Sequence, residues 1–405
     1  MKNPSRRDLL KSAAAAPFAI GSAGALRWLP GGDDRCLVVL ELEGGNDGLN
    51  TLIPVDFDAY ARARPDIGEV RKGAHRLGDG YALHPGMSAM ARLVKEGTCT
   101  VIHGVGYPDP DRSHFRSRDI WHTADPGFTR REAGTSGWLG RAADLLADRG
   151  AAVPGLSVGS LGLPLALRSK RVVVPSLERI EDYQVLVDPA GGKEAVRRDA
   201  IVSLIEGGNR SGSGLDRFLK DVARSAVDGA ERMREALHRY SPKAKYPATS
   251  LGRRLQLLAR VLVSGFGTRL FHLGFGGFDT HARQQPTHTA LLSLLSNAVA
   301  AFVADLQGHG LLDRTIILIH SEFGRRVAQN KSMGTDHGAA APVFMLGGGV
   351  DPGLSGKPPS LMDLLDGDLR PTCDFRELYG ASLRRLGIDE KPVLGRAWKG
   401  LDPFS

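Results

Sequence analysis

The stretch DRTIILIHSEFGRRVAQNKSMGTDHGAAAPVFMLGGG, residues 313–349, decides the fold that this sequence predicts. Its apolar run 315–319 has no helical period and is typical of a buried strand in a parallel sheet. A polar loop follows, and then a second apolar run, 342–346, which ends in three glycines. Ligands of open α/β sheets bind at the carboxyl ends of strands. Two such ends fall within this stretch, with acids and imidazoles between them, so we expect a functional site here.

Other apolar runs along the chain predict the remaining strands and the helices that cover them. Their alternation predicts an α/β fold, a three-layer sandwich with a mainly parallel central sheet and helices on both faces. Further strands are predicted at 36–42, 99–103, 155–158, 164–167, 171–174 and 269–274. Helices are predicted at 84–96, 113–122, 138–149, 251–263, 288–307 and 375–386.

The span 175–245 differs from the rest in composition. It has long charged helical patterns that are broken by a flexible glycine- and serine-rich segment, 207–214. We interpret this span as a mainly helical insertion into one α/β domain that covers residues 26–405.

The N-terminus carries an export pattern. Arg6 and Arg7 precede a mildly apolar, alanine-rich run, 12–25, which closes on the small residues Ala-Gly-Ala. This order predicts a twin-arginine signal peptide at 1–25, the twin-arginine translocase as a partner, and a periplasmic or secreted protein. The alternative is an ordinary helix with a basic start. The run is too short to span a bilayer, and no later stretch predicts a stable membrane span.

Charge and cysteine content exclude some classes of function. The formal net charge is +8, and the basic residues are scattered along the chain instead of forming a stripe. This pattern is typical of a solvated surface that attracts anions weakly, so we expect no nucleic-acid partner. Cys36, Cys99 and Cys373 cannot all pair within one chain, and none has metal-ligand spacing.

Polar groups follow five of the predicted strands or lie in the loops after them. Each has a simpler explanation: Asp47 as a turn residue, Ser113 as a helix cap, and the histidines as loop braces. These separate explanations do not account for the whole set, because acids, hydroxyls and imidazoles all occur at the carboxyl ends of predicted strands. The groups are Asp47, Ser113, Asp279 with His281, Ser321 with Glu322, and Asp336 with His337.

Five segments of the chain carry a family resemblance: LVVLELEGGNDGLNTLIP, DRSHFRSRDIWHTADP, GFDTHARQ, SEFGRR and GTDHGAAAPVFMLGGG. They resemble the uncharacterised family of twin-arginine-exported bacterial proteins with a domain of unknown function, number 1501. That family is grouped with the alkaline phosphatase and sulfatase superfamily. The segments are spread over nearly the whole mature chain.

The superfamily resemblance implies a metal-dependent hydrolase of phosphate or sulfate esters, acting on an anionic small molecule or glycan ester. Ser113 resembles the nucleophile at a helix N-terminus, where an anion is favoured. A divalent metal, Zn²⁺, Ca²⁺ or Mg²⁺, suits the acids and imidazoles. We predict Ser113 and Arg116 as catalytic residues. The predicted metal ligands are Asp47, Asp279, His281, Glu322, Asp336 and His337, and the predicted substrate-binding residues are Asn46, Arg112, His114 and Arg118.

Two departures from the superfamily pattern leave the chemistry open. Ser321 and Glu322 stand where superfamily members usually have Asp-His, and Asp279 and His281 are separated by one residue instead of three. The site could therefore hold one ion, two or none. The alternative function is a non-catalytic exported binding or assembly protein on the same fold.

Overall fold

The computed structural model describes residues 34–129, 132, 134–151, 153–159, 162–177, 240–265 and 267–404. The predicted signal peptide lies outside these residues, and so does most of the predicted helical insertion at 175–245. The described strands are β1 (Cys36–Glu43), β2 (Leu52–Pro54), β3 (His75–Gly78), β4 (Tyr81–Leu83), β5 (Cys99–Gly106), β6 (Gly155–Val158), β7 (Ser176–Leu177), β8 (Leu270–Gly276), β9 (Thr315–Ser321), β10 (Ala341–Leu346), β11 (Gly353–Ser355), β12 (Leu364–Leu365), β13 (Asp368–Leu369) and β14 (Cys373–Asp374).

The described α-helices are α1 (Gly48–Thr51), α2 (Asp58–Ala63), α3 (Ser88–Lys95), α4 (His114–Thr123), α5 (Trp138–Asp148), α6 (Ser250–Val263), α7 (Gln284–Gly308), α8 (Phe375–Arg385) and α9 (Lys391–Leu394). Short 3₁₀ helices run over Ile67–Gly73, Pro85–Met87, Leu165–Leu167 and Leu312–Arg314. The six helices predicted outside the insertion are confirmed, with ends that differ by a few residues.

One large sheet forms the centre of the described structure, with the strand order β11-β5-β10-β9-β1-β8-β6-β7 and with β14 beside β5. β1 pairs in parallel with both β8 and β9. β10 runs antiparallel to β5 and to β9. The prediction of a mainly parallel sheet is therefore confirmed, with β10 reversed.

The two faces of this sheet are both covered by helices. Along β1, Val38 and Leu40 point into one apolar core with residues of α3, α6 and α7. Leu37 and Val39 point into the other, with residues of α4, α5 and α8. Because successive side chains of a strand alternate between faces, a strand buried on both sides is apolar throughout. The three-layer α/β sandwich is confirmed.

Helix α7 is long and apolar enough to cross a membrane by length and composition. Its Leu292, Leu295 and Phe302 side chains are fully buried against the sheet and the neighbouring helices. It is therefore explained as a core helix of the sandwich.

Two of the predicted short strands are wrong. Residues 165–167 form a 3₁₀ helix, and the backbone that follows it pairs with the N-terminus of α5, where Gly137 N donates to Arg168 O at 2.9 Å. A side chain at Gly137 would clash with that backbone, since its Cβ would lie 2.0 Å from Leu165 O. Residues 171–174 form no strand either, and Val173 is 91% exposed.

The direction of β10 also corrects one expectation about the site. The predicted strand 342–346 is confirmed, but its carboxyl end does not lie beside that of β9. A Cβ on Gly347 would lie 2.3 Å from Thr315 O, at the first residue of β9, so the three glycines are at the opposite edge. The loop that enters β10, with Asp336 and His337, is the part that reaches the carboxyl end of β9.

Candidate metal centre

Three neighbouring parallel strands, β1, β8 and β9, end at one edge of the sheet. The loop after β8 carries Asp279 and His281, and Glu322 follows β9 directly. The first residue of α4, His114, and the loop before β10, with His337, reach the same edge. The chain brings these side chains together from distant positions, as the sequence predicts for groups at strand ends.

Three imidazoles converge on a carboxylate oxygen of Asp279, and we call these four residues the outer cluster: His114, Asp279, His281 and His337. Asp279 Oδ1 lies 3.0 Å from His281 Nε2 and 3.2 Å from His337 Nε2. His114 Nε2 lies 3.5 Å from the same oxygen. The Nε2 atoms of His281 and His337 are 2.9 Å apart. The ligand atoms of His114, Asp279 and His337 therefore all lie within 4.8 Å of one another, and His281 Nε2 adjoins two of them, Asp279 Oδ1 and His337 Nε2.

Each imidazole of the outer cluster has its other nitrogen, Nδ1, beside an acceptor. A proton on Nδ1 leaves Nε2 as an electron-pair donor, which is the usual arrangement of histidines that bind a metal. The contacts are His114 Nδ1 to Glu322 Oε1 at 2.8 Å, His337 Nδ1 to Arg112 O at 2.8 Å, and His281 Nδ1 to Asp336 Oδ1 at 3.4 Å.

This donor set fits a divalent metal ion. Imidazoles with one carboxylate suit Zn²⁺ and similar transition ions, whereas Ca²⁺ and Mg²⁺ take mostly oxygen ligands. Glu322 and Asp336, both predicted as ligands, instead contact the Nδ1 atoms of two histidines. Their geometry is that of groups that orient the ligands.

The charge of the outer cluster is set by Arg325, which is almost fully buried. Burial raises the pKa of Asp279, but the Arg325 guanidinium and His337 more than offset this and lower the pKa to about 2. With this low pKa, Asp279 is a carboxylate at neutral pH, which is the form that binds cations. In His114, a hydrogen bond to Glu322 raises the pKa.

The sequence interpretation assigned no role to Arg325, although it lies in the SEFGRR segment. Its guanidinium donates to Gly45 O at 2.6 Å, Thr335 O at 2.8 Å and Asp279 Oδ1 at 2.7 Å. It thus joins the loops after β1 and β8 to the loop before β10. The sequence holds no signal that distinguishes Arg325 from its neighbour Arg326, which is half-buried.

The structure does not bring Asp47 into the outer cluster. Asp47 is fully buried, its Oδ2 lies 2.7 Å from Arg64 Nη1, and Gln284 donates to the same oxygen. Its Oδ1 also accepts from Asn50 N at the start of α1. Burial raises the pKa of Asp47, but Arg64 reverses this and holds the pKa below its usual value. Asp47 forms an interior ion pair.

Three of the predicted substrate-binding residues and the predicted catalytic Arg116 have protein partners. Asn46 is buried, and its side chain contacts Thr51 and His288. The three arginines of the loop and helix after β5 are engaged as well. Arg112 Nε donates to Asp368 at 2.8 Å, Arg116 Nη2 to Pro126 O at 3.2 Å, and Arg118 Nε lies 3.0 Å from Glu41 Oε1.

Ser113 occupies the N-cap position of α4 and is exposed. Its side chain makes no capping hydrogen bond, and its backbone N–H donates to Asp111 Oδ1 at 2.7 Å. Ser113 lies between Arg112, whose carbonyl contacts His337, and His114 of the outer cluster. Its hydroxyl is therefore close in the chain to the outer cluster and is not used as a cap.

A second group of ionisable side chains lies inside the sandwich, and we call it the inner cluster: Glu41 of β1, His122 of α4 and His272 of β8. All three are buried, and their ligand atoms lie within 4.8 Å of one another. The sequence interpretation missed it. The available signal was polar residues inside otherwise apolar strands, Glu41 in LVVLELE and His272 in LFHLGFG.

Comparisons with known proteins agree with the sequence resemblance at the level of the family. Residues 74–400 match the model of a family described as a protein of unknown function, DUF1501. None of the curated proteins matches the chain.

Several solved structures are similar at low identity. A protein in the alkaline phosphatase superfamily from Vibrio parahaemolyticus is 13% identical, with a TM-score of 0.44, over 91% of this chain and 71% of that one. The lipoteichoic acid synthase LtaP from Listeria monocytogenes is 9% identical, with a TM-score of 0.42, over 92% and 74%. The C-terminal periplasmic domain of EptC from Escherichia coli, in complex with Zn, is 10% identical, with a TM-score of 0.42, over 92% and 89%.

Proposed function

The chain belongs to the DUF1501 family of proteins of unknown function, and from that premise we propose that it is a metal-dependent hydrolase of phosphate or sulfate esters. The observation that carries the proposal is the convergence of three imidazole Nε2 atoms on Asp279 Oδ1. The proposed ligands are the four residues of the outer cluster. The proposed metal is a divalent ion of the Zn²⁺ type.

The protein's own groups prepare the outer cluster for a metal. Acceptors at 2.8 Å from the Nδ1 atoms of His114 and His337 favour protons there, so that their Nε2 atoms can donate electron pairs. Asp336 orients His281 more weakly, at 3.4 Å. Arg325 keeps Asp279 charged and holds its loop in place. When bound, a divalent ion supplies Lewis-acid polarisation of an ester oxygen.

Ser113 is the proposed nucleophile. It precedes the first turn of α4, where free backbone N–H groups and the helix dipole favour an anion and lower the cost of an alkoxide. The absence of a capping bond from its hydroxyl supports this role. Arg116 is proposed to assist in holding the anionic ester, since its Nη1 is buried and lacks a hydrogen-bond partner in the described structure.

A second candidate function is a non-catalytic exported binding or assembly protein. The observation that favours it is the engagement of Arg112 with Asp368 and of Arg118 with Glu41, which reduces the positive charge open to an anionic substrate. Export by the twin-arginine route and a periplasmic or secreted location are proposed in either case. Both rest on residues 1–25, which lie outside the described part.

The experiment is hydrolysis of an aryl phosphate and an aryl sulfate by the Zn²⁺-loaded protein. Ser113→Gly should reduce turnover by orders of magnitude, because the nucleophile is lost. The same change costs only a few tenths of a kcal/mol at a helix cap, so the fold should survive. Ser113→Thr keeps a hydroxyl and serves as the matched control, with activity between the two.

Full activity in Ser113→Gly would remove the nucleophile role. A wild-type protein that holds Zn²⁺ in the outer cluster but hydrolyses neither ester would favour the non-catalytic candidate. A protein that takes up no metal at the outer cluster would overturn both the ligand assignment and the hydrolase.

A further inference from the structure

The inner cluster has a hydrogen-bond arrangement that its own side chains do not complete. Glu41 Oε2 lies 2.8 Å from His122 Nε2 but 3.4 Å from His272 Nε2. The second contact is too long for a good hydrogen bond. In the described structure, His272 Nε2 and His122 Nδ1 are buried without hydrogen-bond partners. Buried polar atoms of this kind are uncommon and call for an additional partner.

The three donor atoms have the chemistry and the spacing of a metal site. One carboxylate and two imidazoles form the ligand set of many zinc sites, which bind at about 2.0–2.2 Å and leave a fourth position open. Donors around a tetrahedral ion at that distance lie roughly 3.3–3.6 Å apart. The distances of 2.8 and 3.4 Å from Glu41 Oε2 need only small side-chain rotations to meet this geometry.

A cavity of about 370 Å³ lies against the inner cluster, so the fourth position has space for a ligand. Its charged and imidazole lining consists of Glu41, Glu43, Arg118, His122, Arg254 and His272. Two carboxylates face two guanidinium groups, so a divalent ion would leave excess positive charge. An anion in the cavity offsets that charge and is favoured as the fourth ligand.

We propose that the inner cluster is a second divalent-metal site, of the Zn²⁺ type, whose open position binds an anion in this cavity. It is separate from the outer cluster. His114 and His122 lie eight positions apart on α4, which corresponds to roughly 12 Å along a helix. Ions of a shared two-metal centre lie about 3.5–4 Å apart.

The test counts metal ions per folded chain. The full protein is stripped with a chelator, loaded with Zn²⁺, desalted and measured by elemental mass spectrometry. Wild type should hold two ions, and His272→Gln and His337→Gln should each hold one. The matched control is His320→Gln, because His320 is buried on the same face in register with Glu41 but is stacked on Trp121 and lies outside the cluster. It should retain two ions.

The same measurement separates this proposal from the proposed function. If only the outer cluster did not bind Zn²⁺, wild type would hold one ion, which His272→Gln would lose and His337→Gln would keep. If only the inner cluster did not bind Zn²⁺, wild type would hold one ion, which His272→Gln would keep, and the second site would be overturned.

Crystals of the wild type provide a test that does not depend on a folded variant. Anomalous scattering at the zinc edge should give a peak between Glu41, His122 and His272. A peak at the outer cluster without one here would overturn the proposal even if His272→Gln did not fold. For the anion, inorganic phosphate should shift the visible spectrum of His337→Gln loaded with Co²⁺, and an unchanged spectrum would remove the anion from the proposal.

Discussion

Asp47 and Asp279 follow neighbouring strands of one sheet, and the structure gives them opposite surroundings. Asp47 is completely buried with Arg64, whereas the side chain of Asp279 is 49% exposed and faces three imidazoles. The sequence predicts both as metal ligands. Both acids pair with a buried arginine, Arg64 for Asp47 and Arg325 for Asp279. What differs is that the Asp47 pair is fully enclosed, whereas Asp279 stays half exposed beside imidazoles that can share an ion with it.

The largest expected effects come from exchanging each acid for its amide. Asp47→Asn should lower the free energy of unfolding by about 3–5 kcal/mol, because the buried Arg64 loses its counter-charge. It should leave the metal content of folded protein unchanged. Asp279→Asn should abolish metal binding at the outer cluster. It should change stability less, because Asp279 is half exposed and water screens its ion pair with Arg325. Urea unfolding of the metal-free variants and metal analysis of the folded ones measure both.

The control for the stability measurement is Asp56→Asn. Asp56 pairs with Arg76, but both side chains are mostly exposed, so the unfolding transition should not move. Equal destabilisation by the changes at Asp47 and Asp279 would contradict the contrast between the two acids.

The pH dependence of stability should also reveal the ion pair of Asp47 with Arg64. Because the pKa of Asp47 is lowered in the folded state, its contribution to stability is complete above the unfolded-state pKa of about 4. That contribution is lost as the pH falls through the lower folded-state value. The stability gap between wild type and Asp47→Asn should therefore shrink below about pH 4. A gap that stays constant down to pH 2 would count against the pair.

A smaller effect is expected from Glu322, which contacts His114 instead of an ion. Glu322→Gln should weaken metal binding at the outer cluster roughly 10–100-fold, the usual result of removing a group that orients a ligand. Competition with a chromophoric chelator measures the affinity. Glu96→Gln alters an exposed acid paired with Arg92 and serves as the control. An affinity equal to wild type would show that Glu322 does not orient His114.

The smallest effect is expected from Asp336. Its contact with His281 Nδ1 is 3.4 Å, and its side chain is 56% exposed, so it holds the ring less firmly than Glu322 holds His114. Asp336→Asn should weaken metal binding less than about tenfold, below the usual range for such groups. A loss greater than that of Glu322→Gln would mean that Asp336 binds the ion itself.

Much of the fold could be predicted because the apolar runs are long and the helices periodic. The runs at 36–42 and 315–319 became β1 and β9 with almost the predicted bounds. The direction of β10 could not be predicted, since an apolar run contains no information on which way the strand crosses the sheet. The run at 171–174 contributes Val174 to the core but leaves Val173 91% exposed, and its backbone forms no strand.

The sequence predicts which residues lie at this edge of the sheet, but it does not predict which side chains they pair with. The sequence brought Asp279, His281 and His337 to one edge, as the structure has them. It could not assign the partners of Asp47, because Arg64 is seventeen residues away in the chain and no pattern marks it. Glu41 was read as part of an apolar strand, and its charge inside that strand was the overlooked signal.

The outer cluster draws its histidines from segments that are far apart in the chain. His281 and His337 are 56 residues apart, and His114 contacts a glutamate 208 residues away. An ion held there acts as a cross-link that closes long loops, and closing a loop in advance removes conformational entropy from the unfolded chain. The ion would then fasten three segments of the sandwich at once, so its departure would loosen the whole sheet edge and not a single loop.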